Sequence, residues 1–188
     1  MNHASPIRSE PNPATRAELD AALPHVLDAP KDEAPILTLC FRTGYSQRRF
    51  PDSLRLTRER GILSSEGEAE RWTKAPWMTL EDGSPDPRIQ VSILPKRVLD
   101  LIWRDRDNVT FPGDTMIADL DTGLANLPAG TLLQAGEAVL RVSDVFNDAC
   151  VKWKVRHGTD AWRWITAPGH PELRLRGILC ELVQDGVV

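Results

Sequence analysis

Short apolar runs separated by turn residues are the feature that most constrains how this chain folds. They cover residues 36–41, 54–57, 89–94, 115–120, 131–134, 138–143 and 173–183. In residues 138–143, every second position from Ala138 is apolar, whereas Arg141 and Ser143 fall on the other side. This period of two is typical of a strand with one buried face. The pattern therefore predicts a mainly β protein.

Gly177 marks a change of phase in the last run. From Ile178 onward, the alternating apolar residues occupy even-numbered positions, whereas before Gly177 they occupy odd-numbered positions. Glycine tolerates a bulged position, so we expect a bulge or a sharp bend here, of the kind that closes a barrel. On one continuous strand, Arg174 and Arg176 would share a parity and project together.

Two helical segments interrupt the predicted strands. Residues 95–104 begin with a proline suited to a first turn and place their apolar residues on one face, so they are predicted to cover one end of a barrel. The second segment begins at Cys150, breaks at Gly158 and resumes with Asp160 as a candidate N-cap. The chain is thus expected to contain a few short helices.

Residues 1–33 are predicted to form a flexible N-terminal extension. Several prolines lie among small polar residues in its first part, a composition that is typical of a mobile segment. Residues 17–27 can form one short helical turn, which Pro24 would stop. We expect the folded domain to comprise residues 34–188.

The overall charge argues against nucleic acid as a partner. The net charge is -4 and the pI is near 5.6, whereas a general nucleic-acid binder needs a strong basic excess. The sequence has no apolar run of about 18 residues, so no membrane segment is expected. Its three cysteines are widely spaced and lack a CxxC pair. We expect a cytoplasmic protein with reduced thiols, in which Cys40 and Cys180, within apolar runs, pack in the core.

Cys150 stands directly before Lys152, Lys154 and Arg156, in a locally basic part of an acidic chain. Positive charges favour the thiolate form of a nearby thiol, and the thiolate is the form that ligates metals and attacks electrophiles. Cysteine is also among the most buried residue types, so an inert buried thiol is the alternative. On a helix, Lys152 and Arg156 share one side, and Lys154 points elsewhere.

A Pro-x-Gly turn followed by a hairpin, LPAGTLLQAGEAVLRV, occupies residues 127–142 and lies among several other distinctive segments. These are residues 54–61 (LRLTRERG), 90–94 followed by a helix, 112–120 (PGDTMIADL), the part around Cys150, and 175–186 (LRGILCELVQDG). Together and in this order, residues 35–186 resemble the MOSC domains, the family named after the C-terminal domain of molybdenum-cofactor sulfurase. Residues 64–68 depart from the family pattern, as does Gly113-Asp114-Thr115, where many members have Gly-Glu-Asn.

The resemblance implies a partly closed β-barrel with a few short helices. It also implies that the family cysteine, by position Cys150, carries sulfur or ligates molybdenum, and that the cofactor is the molybdenum cofactor (molybdopterin). The family includes sulfur-transfer domains and molybdenum-dependent reductases of N-hydroxylated compounds, and it has been linked to pyridoxal phosphate.

Three functions remain open. The first is a binding protein for molybdenum cofactor or a sulfur species, acting as a sulfur carrier through Cys150, with cofactor-biosynthesis proteins as partners. The second is a molybdenum-dependent reductase in which Cys150 is the catalytic metal ligand. It would need electron-transfer partners, because the sequence contains neither a ferredoxin-like cysteine pattern nor a nucleotide-binding glycine loop. The third is a non-catalytic barrel that binds an anionic ligand, such as pyridoxal phosphate, or a partner protein.

Basic residues are the candidates for holding the anionic group of such a cofactor, because arginine and lysine match phosphate oxygens. For each of them, a solvated surface position is the alternative. The candidates are Arg42, Arg71, Lys152, Lys154, Arg156, Arg174 and Arg176, with Arg48, Arg49 and Arg88 as further ones.

Other residues near the proposed site allow two interpretations. Trp153, Trp162 and Trp164 can stack on a planar heterocycle or pack in the core. Asp114 and Asp148 can orient a ligand or assist proton transfer, or they can only bond to the backbone of a turn.

Overall fold

Over the residues that the structure describes, the chain folds into a mainly β structure with a curled sheet and four short helices, which confirms the predicted partly closed barrel. The computed structural model describes residues 12–44, 47–70, 79–106, 109 and 111–188. The strands are β1 (Ile36–Leu39), β2 (Phe41–Gly44), β3 (Gln47–Arg49), β4 (Arg55–Thr57), β5 (Gly61–Leu63), β6 (Val91–Pro95), β7 (Met116–Ala118), β8 (Leu132–Ala135), β9 (Ala138–Val142), β10 (Ile178–Gln184) and β11 (Gly186–Val187). The helices are α1 (Arg16–Leu27), α2 (Lys96–Ile102), α3 (Val151–His157) and α4 (Thr159–Ile165), with single 3-10 turns at Pro87–Ile89 and Pro171–Leu173.

Six strands form the main sheet, in the order β1-β7-β6-β10-β9-β8. Neighbouring strands are antiparallel except for β6 and β7, which are parallel. A second sheet has the order β11-β4-β5, and β2 pairs with β3 in a hairpin. In β9, Ala138, Leu140 and Val142 are buried, as the alternation predicted.

Among the described residues, no helix combines the length and apolarity that a membrane crossing requires.

The main sheet separates two hydrophobic cores. Met116 of β7 packs with Leu56 and Leu140 on one side, whereas the next residue, Ile117, packs with Val98 and Trp164 on the helical side. A strand whose successive residues are both buried lies between two layers, which is where parallel strand pairs are usually found. The helices α1 to α4 all contribute buried residues to the second core and cover this face of the sheet.

Helix α1 is longer than the single turn that the prolines suggested. It spans 12 residues and continues through Pro24. Thr15 and Glu18 form a reciprocal capping box at its start, and Leu19 and Val26 are buried in the second core. The apolar contacts on both sides of Pro24 stabilise the helix against the hydrogen bond that proline removes. The boundary of the folded domain at residue 34 stays a prediction.

The segment before β10 is a turn and not a strand, which corrects the prediction for residues 173–177. Leu173 ends a 3-10 turn, and Arg174 has a left-handed backbone with φ of 46°. The N–H of Gly177 donates to the carbonyl oxygen of Arg174 at 2.7 Å. The sharp bend expected at Gly177 is therefore present, but strand pairing begins only at Ile178.

Two helix starts also differ by a few residues from the sequence pattern. Pro95 is the N-cap of α2 and not its first helical residue. Gly158 is the N-cap of α4, and Asp160 lies in its first turn. The Asp160 carboxylate instead accepts a hydrogen bond from the backbone N–H of Arg16 at 2.9 Å. This contact with the start of α1 was not visible locally, because the two residues are 144 positions apart.

We expect Gly177→Ala to destabilise the protein more than an ordinary left-handed glycine replacement. Gly177 has φ of +89°, and an added Cβ would lie 2.0 Å from the carbonyl oxygen of Ile93. Gly130, with φ of +91°, has no described atom within 4 Å of the same position. Gly130→Ala thus measures backbone strain alone, about 1–2 kcal/mol. In urea unfolding, Gly177→Ala should lose at least about 2 kcal/mol more. Equal losses would contradict the close approach to Ile93.

Candidate functional site: a basic cleft with an exposed thiol

A cleft of about 580 Å³ opens where the β2–β3 hairpin, the segment before β7 and the loop into α3 meet. Gly113 lies in its wall. A Cβ built at Gly113 would be 3.2 Å from Nη2 of Arg48 and 3.3 Å from Cδ of Arg42. The missing side chain at this position thus allows both arginines to lie against the segment that leads into β7.

Arg42 and Arg48 are direct cross-strand partners in the β2–β3 hairpin. Like charges placed opposite each other destabilise a β ladder, so this pairing needs compensation from elsewhere. Arg42 obtains it from Glu70, whose side chain is fully buried. Nη2 of Arg42 donates to Oε2 of Glu70 at 2.6 Å, and the backbone N–H of Arg42 donates to Oε1 at 2.8 Å.

Arg48 has no comparable partner among the described residues. Its Nε and Nη1 atoms are buried and make no hydrogen bond there. Burial lowers the pKa of Arg48, and the nearby charge of Arg156 lowers it further. A guanidinium nevertheless keeps its proton in proteins, so Arg48 is a charged donor that lacks acceptors. An anion in the cleft would supply them.

Arg176 is already paired. Its Nη1 donates to Oδ1 of Asp114 at 2.8 Å, and its guanidinium lies 4.6 Å from the ring centroid of Trp153. Asp114 is only 2% exposed, so this ion pair is largely shielded from water. Arg176 therefore shapes the wall of the cleft, but most of its charge is neutralised.

Helix α3 contributes two more cations to the cleft. Lys152 and Arg156, one turn apart, both line it. Lys154 points away, with Nζ 5.0 Å from the ring centroid of Trp162. This division confirms the helical spacing read from the sequence. Trp153 and Trp164 are buried in the second core, as the core interpretation of the tryptophans predicted.

Cys150 lies at the rim of the same cleft, as the N-cap residue of α3. Its side chain is exposed, so the alternative of a buried, inert thiol is wrong for this residue. Cys40 and Cys180 are fully buried, and burial raises the pKa of each thiol to about 12. A single accessible thiol thus stands beside a basic cleft.

Not every predicted site residue reaches the cleft. Arg174 turns away, and its Nη1 donates to the carbonyl oxygen of Leu127 at 2.5 Å. The expectation that Arg174 and Arg176 project together is therefore wrong, because residues 173–177 do not form a strand. Arg71 lies outside the described residues. Arg49 and Arg88 are half or more exposed; Arg49 pairs with the exposed Glu68, and Arg88 pairs with the largely buried Asp86.

Arg48 is the residue whose importance the sequence understated. It stood only among the further candidates, because nothing local separates it from its neighbour Arg49. The signal that was available is the spacing of the two arginines around Gly44 in RTGYSQRR, which brings Arg42 opposite Arg48 if the segment forms a hairpin. Because this segment is mostly polar, it lacks the alternation of apolar residues that would have indicated a hairpin.

Comparisons with known proteins support the fold. A scan against models of protein families finds no match, and a search of curated proteins also finds none. Among solved structures, a hypothetical protein matches with a TM-score of 0.53 and 18% identity, over 84% of this chain and 66% of that one. This chain therefore spans slightly less than two thirds of that protein's length.

Two further solved structures are similar to this chain. The YuaD protein from Bacillus subtilis has a TM-score of 0.51 and 18% identity, covering 82% of this chain and 90% of that one. YiiM from Geobacillus stearothermophilus has a TM-score of 0.48 and 15% identity, covering 82% and 70%. At such low identities, the likeness to YuaD shows a shared fold and nothing finer.

We expect only one thiol of the native protein to react with a reagent such as 5,5′-dithiobis(2-nitrobenzoate) near pH 8. Cys150 is exposed, whereas Cys40 and Cys180 are buried, with pKa values of about 12. Native protein should release one equivalent of chromophore, and Cys150→Ala should release none. In denaturant, the two proteins should release three and two equivalents, which counts the thiols present. A rapid second equivalent from folded protein would contradict this burial pattern.

His157 should make the protein less stable at mildly acidic pH. Burial, followed by the charges of Arg156 and Arg176, lowers the pKa of His157 to about 4. The pKa of an unfolded histidine is about 6.5, so between these values only the unfolded chain gains a proton and stability falls as pH falls. From pH 7 to pH 5, this loss is about 2 kcal/mol. In urea unfolding, His157→Gln should lose about that much less than the wild type; an identical loss would contradict the assignment.

Proposed function

We propose that the protein binds the molybdenum cofactor, or a sulfur species destined for it, in the basic cleft. Cys150 acts as the ligand or sulfur carrier, and Arg48 and Arg156 hold the anionic group. The observation that carries the proposal is the guanidinium of Arg48, whose Nε and Nη1 atoms are buried and lack acceptors in the described part of the chain, in a cleft with an exposed thiol at its rim. A phosphate accepts hydrogen bonds from such a group and neutralises it.

The types of residue in the cleft fit a cofactor that brings most of its own metal ligands. Within the described residues, no group of three or more His, Cys, Asp and Glu side chains is placed to hold a metal ion. A pterin dithiolene supplies two sulfur ligands itself and needs little more than one soft ligand from the protein, which a thiolate provides. When bound, the cofactor would supply a metal that changes oxidation state.

The chain's own residues would bind and orient this group. Arg48 and Arg156 would fix the phosphate, and Lys152 adds a third positive charge to the same cleft. The Arg42–Glu70 pair holds β2 in position beside them. Cys150 stands at the rim, where a sulfur atom is accessible to a partner protein. A cofactor-biosynthesis protein is the expected partner for a carrier.

Two alternatives remain as further proposals. In a molybdenum-dependent reductase of N-hydroxylated compounds, Cys150 would be the catalytic metal ligand, and an electron-transfer protein would be required. In a non-catalytic barrel, the same cations would bind pyridoxal phosphate or another anionic ligand, and Cys150 would be dispensable. The exposure of Cys150 at the rim favours the first two functions over the third.

We expect protein purified without oxygen to retain molybdenum and pterin, or a persulfide, measured by elemental analysis, pterin fluorescence and mass spectrometry. Cys150→Ala should lose the metal and the persulfide, because the soft ligand is gone. Arg48→Gln should bind the phosphorylated pterin at least about tenfold more weakly, because it loses a charged hydrogen-bond donor. Arg49→Gln is the matched control, since Arg49 is 59% exposed and pairs with Glu68 outside the cleft.

The same proteins separate the alternatives. Reduction of a hydroxylamine that disappears in Cys150→Ala supports the reductase, and a persulfide without turnover supports the carrier. Pyridoxal phosphate that binds equally well to wild type and Cys150→Ala, but not to Arg48→Gln, supports the non-catalytic barrel. Wild-type protein that binds neither pterin, pyridoxal phosphate nor sulfur would overturn the proposal.

A further inference from the structure

Asp114 is a buried carboxylate in the wall of the cleft, and one of its oxygen atoms has no hydrogen-bond partner among the described residues. Its Oδ1 accepts a hydrogen bond from Nη1 of Arg176 at 2.8 Å. Its Oδ2 is buried and has no hydrogen-bond partner in the described residues. The residue is 2% exposed, so solvent is largely excluded from it. A buried charged acceptor without a donor is costly, and native proteins keep few of them without a reason.

The surrounding structure holds Asp114 firmly. The backbone N–H of Thr115 donates to Oγ of Ser92 at 3.1 Å, and the N–H of Ser92 donates to Oγ1 of Thr115 at 3.2 Å. The N–H of Cys40 donates to the carbonyl oxygen of Thr115 at 2.9 Å. Arg176, the partner of Oδ1, lies over the ring of Trp153. Asp114 therefore cannot easily turn its second oxygen towards a new partner, and a donor must come to it.

The cleft thus favours two different groups on one ligand. The charges of Arg48 and Arg156 favour an anionic group, whereas Oδ2 of Asp114 favours a hydrogen-bond donor. The two sites are close, because Gly113, next to Asp114, packs against Arg48. The negative charge of Asp114 also acts on Arg48. A ligand that fills only the cationic part leaves a buried carboxylate oxygen unpaired, and one with an acceptor at that end would be repelled.

We propose that Asp114 is a specificity-determining residue, whose Oδ2 accepts a hydrogen bond from an N–H or O–H group of the same ligand that places its phosphate on Arg48. This inference rests on the proposed anion site, and it narrows the ligand to phosphorylated compounds that carry a donor, such as an amino group, at their other end. Purely acceptor-bearing phosphates are selected against.

Two small phosphates test this directly, because one of them carries a terminal ammonium group, a positively charged hydrogen-bond donor, and the other ends in a methyl group. Calorimetry at pH 7.5 would compare 2-aminoethyl phosphate with ethyl phosphate on wild type, Asp114→Asn and Asp144→Asn. Wild type should bind the amino compound at least about tenfold more tightly, the size expected of one hydrogen bond to a buried carboxylate. Asp114→Asn should bring this ratio close to one while ethyl phosphate binds at least as well as before, because a negative charge has left the cleft.

The control and the ethyl phosphate measurement separate specificity from folding. Asp144 is 71% exposed and lies near Arg88, so Asp144→Asn should keep the wild-type ratio. If the amide variant does not fold, Asp114→Ser removes the same charge with less bulk and should show the same ratio near one. A wild-type ratio near one, or an unchanged ratio in a folded Asp114 variant, would overturn the role of Asp114 alone. Failure of both phosphates to bind wild type would overturn the anion site and this inference with it.

Discussion

The burial of two nitrogen atoms of the Arg48 guanidinium, beside the charges of Arg156 and Arg42, is the constraint on which the cleft depends. A guanidinium keeps its proton when it is buried. Its charge therefore destabilises the folded protein unless a negative group neutralises it. Glu70 neutralises Arg42 and Asp114 neutralises Arg176, but among the described residues neither carboxylate forms an ion pair with Arg48. The cleft therefore carries more positive charge than its own carboxylates balance. Such an imbalance in a chain that is acidic overall is what an anion-binding site requires.

The scaffold explains why these charges can be held so close together. Strands β6 and β7 are buried on both faces between two cores, so the segments at their ends are anchored by close packing. The hairpin β2–β3, the segment before β7 and the start of α3 all meet at one such place. Functional side chains on loops positioned by a rigid sheet are a common arrangement, and this cleft follows it.

Local patterns predicted much of the fold, and their failures have identifiable causes. Period-two alternation located β9 and β10, because each of these strands buries one face and exposes the other more. The β2–β3 hairpin was missed because its residues are mostly polar. Its pairing places Arg42 and Arg48 in the cleft and does not bury an apolar face that a pattern could indicate. Helix α1 was underestimated because Pro24 reads locally as a stop, whereas the burial of Val26 beyond it decides the outcome. Residues 173–177 alternate like a strand but form turns, because the close approach of Gly177 to Ile93 sets the path of the chain.

By itself, the sequence determined the class of fold, the grouping of basic residues around Cys150 and the side of α3 on which Lys152 and Arg156 lie. These properties depend on residues a few positions apart, and backbone geometry relates such residues directly. Only the tertiary structure decided which cations are neutralised. Arg42 meets Glu70 across 28 positions, Arg176 meets Asp114 across 62, and Arg174 is taken by a carbonyl 47 positions away. Ion pairing depends on distance in space, so it emerges only once the sheet has closed and Arg48 is left without a partner of its own among the described residues.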